Sequence, residues 1–168
     1  LPRIDLLVNA DGLVVDKPVA RMSHADWDTV LDTNLTAAFH TARAAARPMA
    51  RQRSGHIVNI GSYSALSGPP GQANYAAAKA GLHALTQSLA AELGPRNVRA
   101  NTVLPGFIDT KLTSAVTPDR RQAVLAQHTL ARFNTPRAVA KFITHLHLHL
   151  PHTSAQLFNH DSRPIASP

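Results

Sequence analysis

The sequence contains no cysteine, which excludes a disulfide framework and any thiolate metal site. Aromatic residues are scarce, with one Trp, two Tyr and five Phe among 168 residues, so a single-strand nucleic-acid surface built on stacked bases has little to work with. No apolar run approaches the length of a membrane-spanning helix. The opening LPRIDLLVN has neither the charged start nor the long apolar centre of a secretory signal. A soluble, cytoplasmic chain with no membrane partner is the expectation. Acidic residues are also few, 10 Asp and Glu against 17 Lys and Arg, for a formal charge of +7. Such a balance suits anionic partners, but the cations are scattered. Arg43, Arg47 and Arg51 recur every fourth position of a helical stretch and read as a solvated face, so no nucleic-acid partner is expected.

What is present is ample apolar material, 44% of the chain, enough for one domain with its own core. Ile4 to Asn9 is an apolar run closed by Asp11 and Gly12, a buried strand entering a turn. Ser23 caps a helix that runs, with a possible break, to about Arg53. His56 to Ile60 is the next strand, and Asn74 to Leu93 is an Ala- and Leu-rich helix stopped by Gly94 and Pro95. Val98 to Leu104 forms a third strand, ended by Pro105 and Gly106. A weaker helix spans Pro118 to Gln127; another runs from the Thr135 cap and Pro136 to about Leu148, and Gln156 to Asn159 is the last strand. Strands joined by helical crossovers must pair in parallel, which defines a doubly wound α/β layout. Ligands of such sheets bind beyond the strands' carboxyl ends. The turns at Asn9 to Gly12, Gly61 to Ser62 and Pro105 to Gly106 are therefore the places to look.

Two of the chain's rarest functional side chains meet that rule. Tyr75 and Lys79 are four residues apart on a helix and share a face. A neighbouring ammonium favours the phenolate, so Lys79 is expected to lower the Tyr75 pKa from its usual value near 10. Ser62, at the end of the preceding strand, offers a hydroxyl to a substrate oxygen in the same space. Ser64 is the rival serine. Gly71 and Gln72 shape the approach, and Asn101 reads as structural.

The YAAAK run at Tyr75 to Lys79, the serine thirteen positions before the tyrosine, TNL at Thr33 to Leu35, RANTVLPG at Arg99 to Gly106 and LLVN before its turn together resemble the short-chain dehydrogenase/reductase family over nearly the whole chain. GQANYAAAKAG looks most like its 3-oxoacyl carrier-protein reductase branch. The resemblance implies a Rossmann-like fold, of which residues 1–168 are the C-terminal two-thirds. It implies reduction of a carbonyl, 3-oxoacyl-thioester-like, with NADP or NAD, and a homotetramer. Tyr75 would be the general acid, Lys79 the residue that tunes it and holds the nicotinamide ribose, Ser62 the polarising hydroxyl, and Asn34 the holder of a water relaying protons to Lys79. Asn9, Gly12, Pro105, Gly106, Ile108 and Thr110 would contact the cofactor, with Thr110 at the carboxamide.

The sequence departs from that pattern in three places. The glycine-rich phosphate turn of the family is absent, and Leu1 falls near the family's fourth strand, so about 80 to 90 residues of strand-helix units are expected upstream at ~30 residues each. The turn after the first strand differs too: Asn9, Ala10, Asp11 and Gly12 stand where the family usually has NNAG. The last strand leads into Asp161, Ser162 and Arg163 where most relatives have Asp-Gly-Gly. His145 and His149 share a helical face while His147 points elsewhere; these are read as exposed, and no metal is assigned. An inactive chain that folds only as part of an oligomer is the alternative to an enzyme.

Overall fold

The computed structural model describes residues 3–110, 113–114 and 116–165. Four strands, β1 (Leu6–Asn9), β2 (Gly55–Ile60), β3 (Val98–Leu104) and β4 (Leu157–Asn159), form one sheet in the order β1-β2-β3-β4, every pair parallel. Spatial order equals chain order, because each strand is followed by a helical crossover to its neighbour. The helices are α1 (His24–Leu31), α2 (Ala37–Gln52), α3 (Ser64–Ser67), α4 (Ala73–Leu93), α5 (Pro118–Leu125) and α6 (Pro136–His149).

Alternation along the strands sorts the core onto two faces. On one, Ile57, Val98 and Ala100 meet Ala42, Ala45 and Met49 of α2 and Ala90 and Leu93 of α4. On the other, Val58 and Val103 meet Val139, Ile143 and Leu146 of α6. Helices on both faces make the sheet doubly wound, as the element order predicts. Since all three crossovers step the same way across the sheet, the β3–β4 connection, with its helix on the opposite face, has the opposite hand to the other two. Met49, Ile57, Leu82, Leu104 and Leu146 are fully buried, each worth about 1.5–3 kcal/mol of transfer free energy.

The predicted helix from Ser23 to Arg53 is present with a break. Ser23 closes a capping box with Asp26, and α1 then widens into a π-helical segment at Asp32–Thr36 before α2 begins. Periodicity shows a helix but not its pitch. Of the predicted strands, β1 starts two residues late and β4 one, β2 starts one residue early and β3 has the predicted bounds; three short turns of helix, Val19–Arg21, α3 and Gly94–Arg96, lay below the reach of periodicity. Arg43, Arg47 and Arg51 are all exposed, the solvated face expected. His145, His149 and His152 are exposed too, but His147 is not free of contacts: its ring stacks on buried His56 at 5.7 Å.

Candidate active site

All four strands are parallel, so the turns after β1, β2 and β3 emerge on one edge of the sheet. Helix α4 delivers the side chains. Its inward positions, Tyr75, Ala78, Lys79, Leu82, Thr86, Ala90 and Leu93, recur every three or four residues and are buried. Gly81 belongs to this face because the π segment passes close above it; a Cβ there would lie 3.0 Å from Leu35 Cδ2. Tyr75 is 8% exposed and Lys79 3%. The Lys79 Nζ stands 5.8 Å from the Tyr75 ring centroid and donates to the main-chain oxygens of Ile60 (2.9 Å) and Asp11 (3.3 Å). An ammonium has three donors, so one remains for a hydroxyl.

The Ser62 hydroxyl lies close enough to the Tyr75 phenol to pull its pKa down. Ser64 is turned elsewhere: its Oγ donates to Gln72 Oε1 at 2.9 Å, and Gln72 Nε2 donates to Asp16 Oδ2 at 3.0 Å. Of the two serines, Ser62 is the one whose hydroxyl acts on the phenol. Gln72, and Gly71 whose carbonyl accepts from Lys17 N at 2.9 Å, tie the turn after β1 to the start of α4.

The ionisation of Tyr75 corrects the sequence reading. Burial pushes the phenol above its usual value of 10.0 and outweighs the Ser62 hydrogen bond, which lowers it; nearby Asp16 raises it further. Lys79 makes no resolvable difference there. Burial also lowers Lys79 itself, to about 8. At neutral pH the group is therefore a protonated phenol beside an ammonium, the state that can give a proton away.

Asn34 is 2% exposed on the π segment. Its Nδ2 donates to Leu13 O and Val30 O, each at 2.8 Å, and its Oδ1 accepts from Leu13 N at 3.4 Å. The side chain thus holds the turn whose Asp11 carbonyl meets Lys79, and does not bond Lys79 itself. Asn9 is committed as well: Nδ2 donates to Asn59 Oδ1 and Oδ1 accepts from Thr41, both at 2.7 Å. A cofactor contact at Asn9 would have to use its main chain. Gly12 is exposed in the same turn.

Beyond β3, Asn134 Nδ2 donates to Pro105 O (2.9 Å) and His160 O (2.8 Å), and Ile108 bridges to Asn134. Gly106 has φ +80°, and a Cβ there would meet Asp161 Cγ at 2.8 Å, so both conformation and space demand glycine. Thr110 is exposed at the end of this loop. Pro105, Gly106, Ile108 and Thr110 therefore form one ordered loop on the same sheet edge as Ser62.

Further contributors were not identified from the sequence. Asn74 is fully buried; its Nδ2 donates to Val15 O and Asp26 O at 3.2 Å and its Oδ1 accepts from Tyr75 N at 2.8 Å, fixing the tyrosine's turn. Its place beside the tyrosine was the available signal. Beneath the site, Asn59 Nδ2 donates to Thr86 Oγ1 (2.8 Å), which also accepts from Thr102 Oγ1 (3.0 Å), carrying the Asn9 network across three strands. Asn101 is structural as expected, bonded to His56, Thr153 and Gln156.

A doubly wound sheet whose carboxyl edge gathers a serine, a buried tyrosine and a lysine one helical turn on has the architecture of a nucleotide-dependent oxidoreductase. A family model described as enoyl-(acyl carrier protein) reductase matches residues 1–151. The chain is 43% identical over 143 residues to the 3-oxoacyl-acyl-carrier-protein reductase of Vibrio cholerae, covering 85% of this chain and 59% of that protein. It is 46% identical over 143 residues to the enzyme of the same name from Aquifex aeolicus, covering 85% and 58%. Nodulation protein G of a Rhizobium species is 42% identical over 146 residues, covering 87% and 60%. The chain belongs to the short-chain dehydrogenase/reductase family and is most like its 3-oxoacyl-acyl-carrier-protein reductases, spanning about three-fifths of the length of these relatives.

Proposed function

We propose that residues 1–168 supply the proton-transfer and nicotinamide-side part of a domain that reduces a 3-oxoacyl-thioester-like carbonyl with NADP or NAD. The observation that carries this reading is the buried Tyr75, its phenol held protonated by burial and acted on by Ser62, with the Lys79 ammonium on the next turn. Bound reduced nicotinamide would supply the hydride to the carbonyl carbon. The chain's own residues manage the oxygen: Ser62 donates a hydrogen bond to it, and Tyr75 Oη transfers its proton as the C=O π bond gives way to an O–H bond. The resulting phenolate lies near the Lys79 charge and draws its replacement proton from that side. The uncommitted N–H of Lys79 fits a ribose hydroxyl, and the loop from Pro105 through Gly106 and Ile108 to Thr110 fits the nicotinamide ring. Asn34 serves by holding the Leu13 turn. Gly12 and the main chain of Asn9 would meet the other end of the cofactor. Assembly as a homotetramer and a cytoplasmic location belong to the same proposal.

The test is reduction of a 3-oxobutanoyl thioester by the chain, alone and joined to the N-terminal part of a relative, with NADPH and NADH. Tyr75→Phe should cut turnover by about 10²–10⁴-fold; full turnover in that variant removes the phenol from the mechanism.

A further inference from the structure

The turn after β4, Asp161 to Arg163, gathers the loops of the site. Asp161 is buried, its side chain 1% exposed. One carboxylate oxygen accepts from Arg163 Nε at 2.6 Å. The other lies 2.9 Å from His128 Nε2, off the line of a hydrogen bond. Asp161 also fills the space a side chain at Gly106 would take. Ser162 O accepts from Thr129 N (3.1 Å) and Thr129 Oγ1 (2.8 Å), binding the segment that leads into α6. Arg163, so oriented, lays its guanidinium over the Tyr63 ring, 4.1 Å from the centroid, and the Tyr63 hydroxyl donates to Pro164 O at 2.9 Å. Tyr63 is the residue after Ser62.

We infer that Arg163 is a positioning residue: with Asp161 it clasps the C-terminal turn onto Tyr63 and so sets the placement of Ser62 against Tyr75. The inference rests on the proposed roles of Ser62 and Tyr75. A planar guanidinium suits the task because it stacks on an aromatic face while its edge pairs with a carboxylate. Glycine at this position would make neither contact. In this chain the serine turn is tied to the nicotinamide-side loop through one ion pair and one ring.

The chain has two tyrosines, Tyr63 and Tyr75, so labelling with 3-fluorotyrosine gives two ¹⁹F resonances, assigned with Tyr63→Phe. Arg163→Gly should move the Tyr63 resonance, and should move that of Tyr75 in the same direction as Ser62→Ala does. In the double variant the two Tyr75 shifts should fall short of their sum, since both act through one hydroxyl. Arg163→Lys, keeping charge but not the planar stack, should restore less than half of each shift. A Tyr75 resonance that stays in place, or shifts that add in full, would overturn the inference. Should Arg163→Gly fail to fold, Arg163→Lys carries the same comparison. These spectra require no turnover, so a chain without reductase activity would remove the proposed function and leave the clasp to be judged on its own readout.

Discussion

Lys79 is bonded to the same turn that carries Ser62: its Nζ donates to Ile60 O at 2.9 Å, two residues before the serine. The Tyr75 phenol, the Lys79 ammonium and the Ser62 hydroxyl therefore share one rigid support, β2 against α4, rather than meeting from independent loops.

This burial gives Lys79 a pH signature. The unfolded chain holds the proton to about the ordinary lysine value of 10.5, the folded chain only to about 8. Between these values the unfolded state binds more protons, so this contribution makes stability rise with pH, by at most about 1.4 kcal/mol per unit. Urea unfolding from pH 8 to 9.5 should show this rise in the wild type relative to Lys79→Met; identical slopes would mean the ammonium is not buried as described.

Ser62 and Ser64 should part company in spectroscopic titration. Ser62→Ala removes the hydroxyl that lowers Tyr75, so the phenol should ionise at higher pH. Ser64→Ala breaks only the Gln72 contact and should leave it unmoved. Phenolate absorbance, with Tyr63 as the internal second tyrosine, distinguishes them.

His56 predicts an acid-sensitive fold. Burial, with Arg99 and His147 nearby, lowers it from 6.5 to about 3. Its stability contribution is intact above 6.5 and declines as pH falls toward 3, because there only the unfolded chain takes up the proton. His56→Gln should flatten the acid limb of the stability curve by up to one proton, read as the slope of unfolding free energy against pH.

Asn34→Ala should cost about 1–3 kcal/mol, since it strands the carbonyls of Leu13 and Val30 without their donor. Amide exchange should quicken at residues 11–15 and remain slow in α6. Equal acceleration in both would mean that Asn34 supports the whole fold.

The fold class was legible because strand runs, helix caps and the Gly-Pro stop after Leu93 are local signals, and parallel pairing follows from the crossovers. Tyr75, Lys79 and Ser62 were legible from helical spacing and family motif. The direction of the Tyr75 shift was not, because it depends on how much water the fold removes and where the ammonium points. Asn9 illustrates the same limit: its position at a strand end suggests a ligand contact, whereas its amide is used by Thr41 and Asn59 from distant parts of the chain. Asn74 and Arg163 act through contacts of long sequence separation, which no local pattern encodes.

The π-helical stretch Asp32–Thr36 amounts to one surplus residue threaded into an otherwise regular helix. Excising a single residue there would restore ordinary winding and swing everything on one side of the cut by about 100° relative to the other. The capped start of α1 and the Ala face of α2 could then no longer both find their seats, so this stretch sets the phase between two halves of the molecule, and shortening it would harm the site more than any substitution within it.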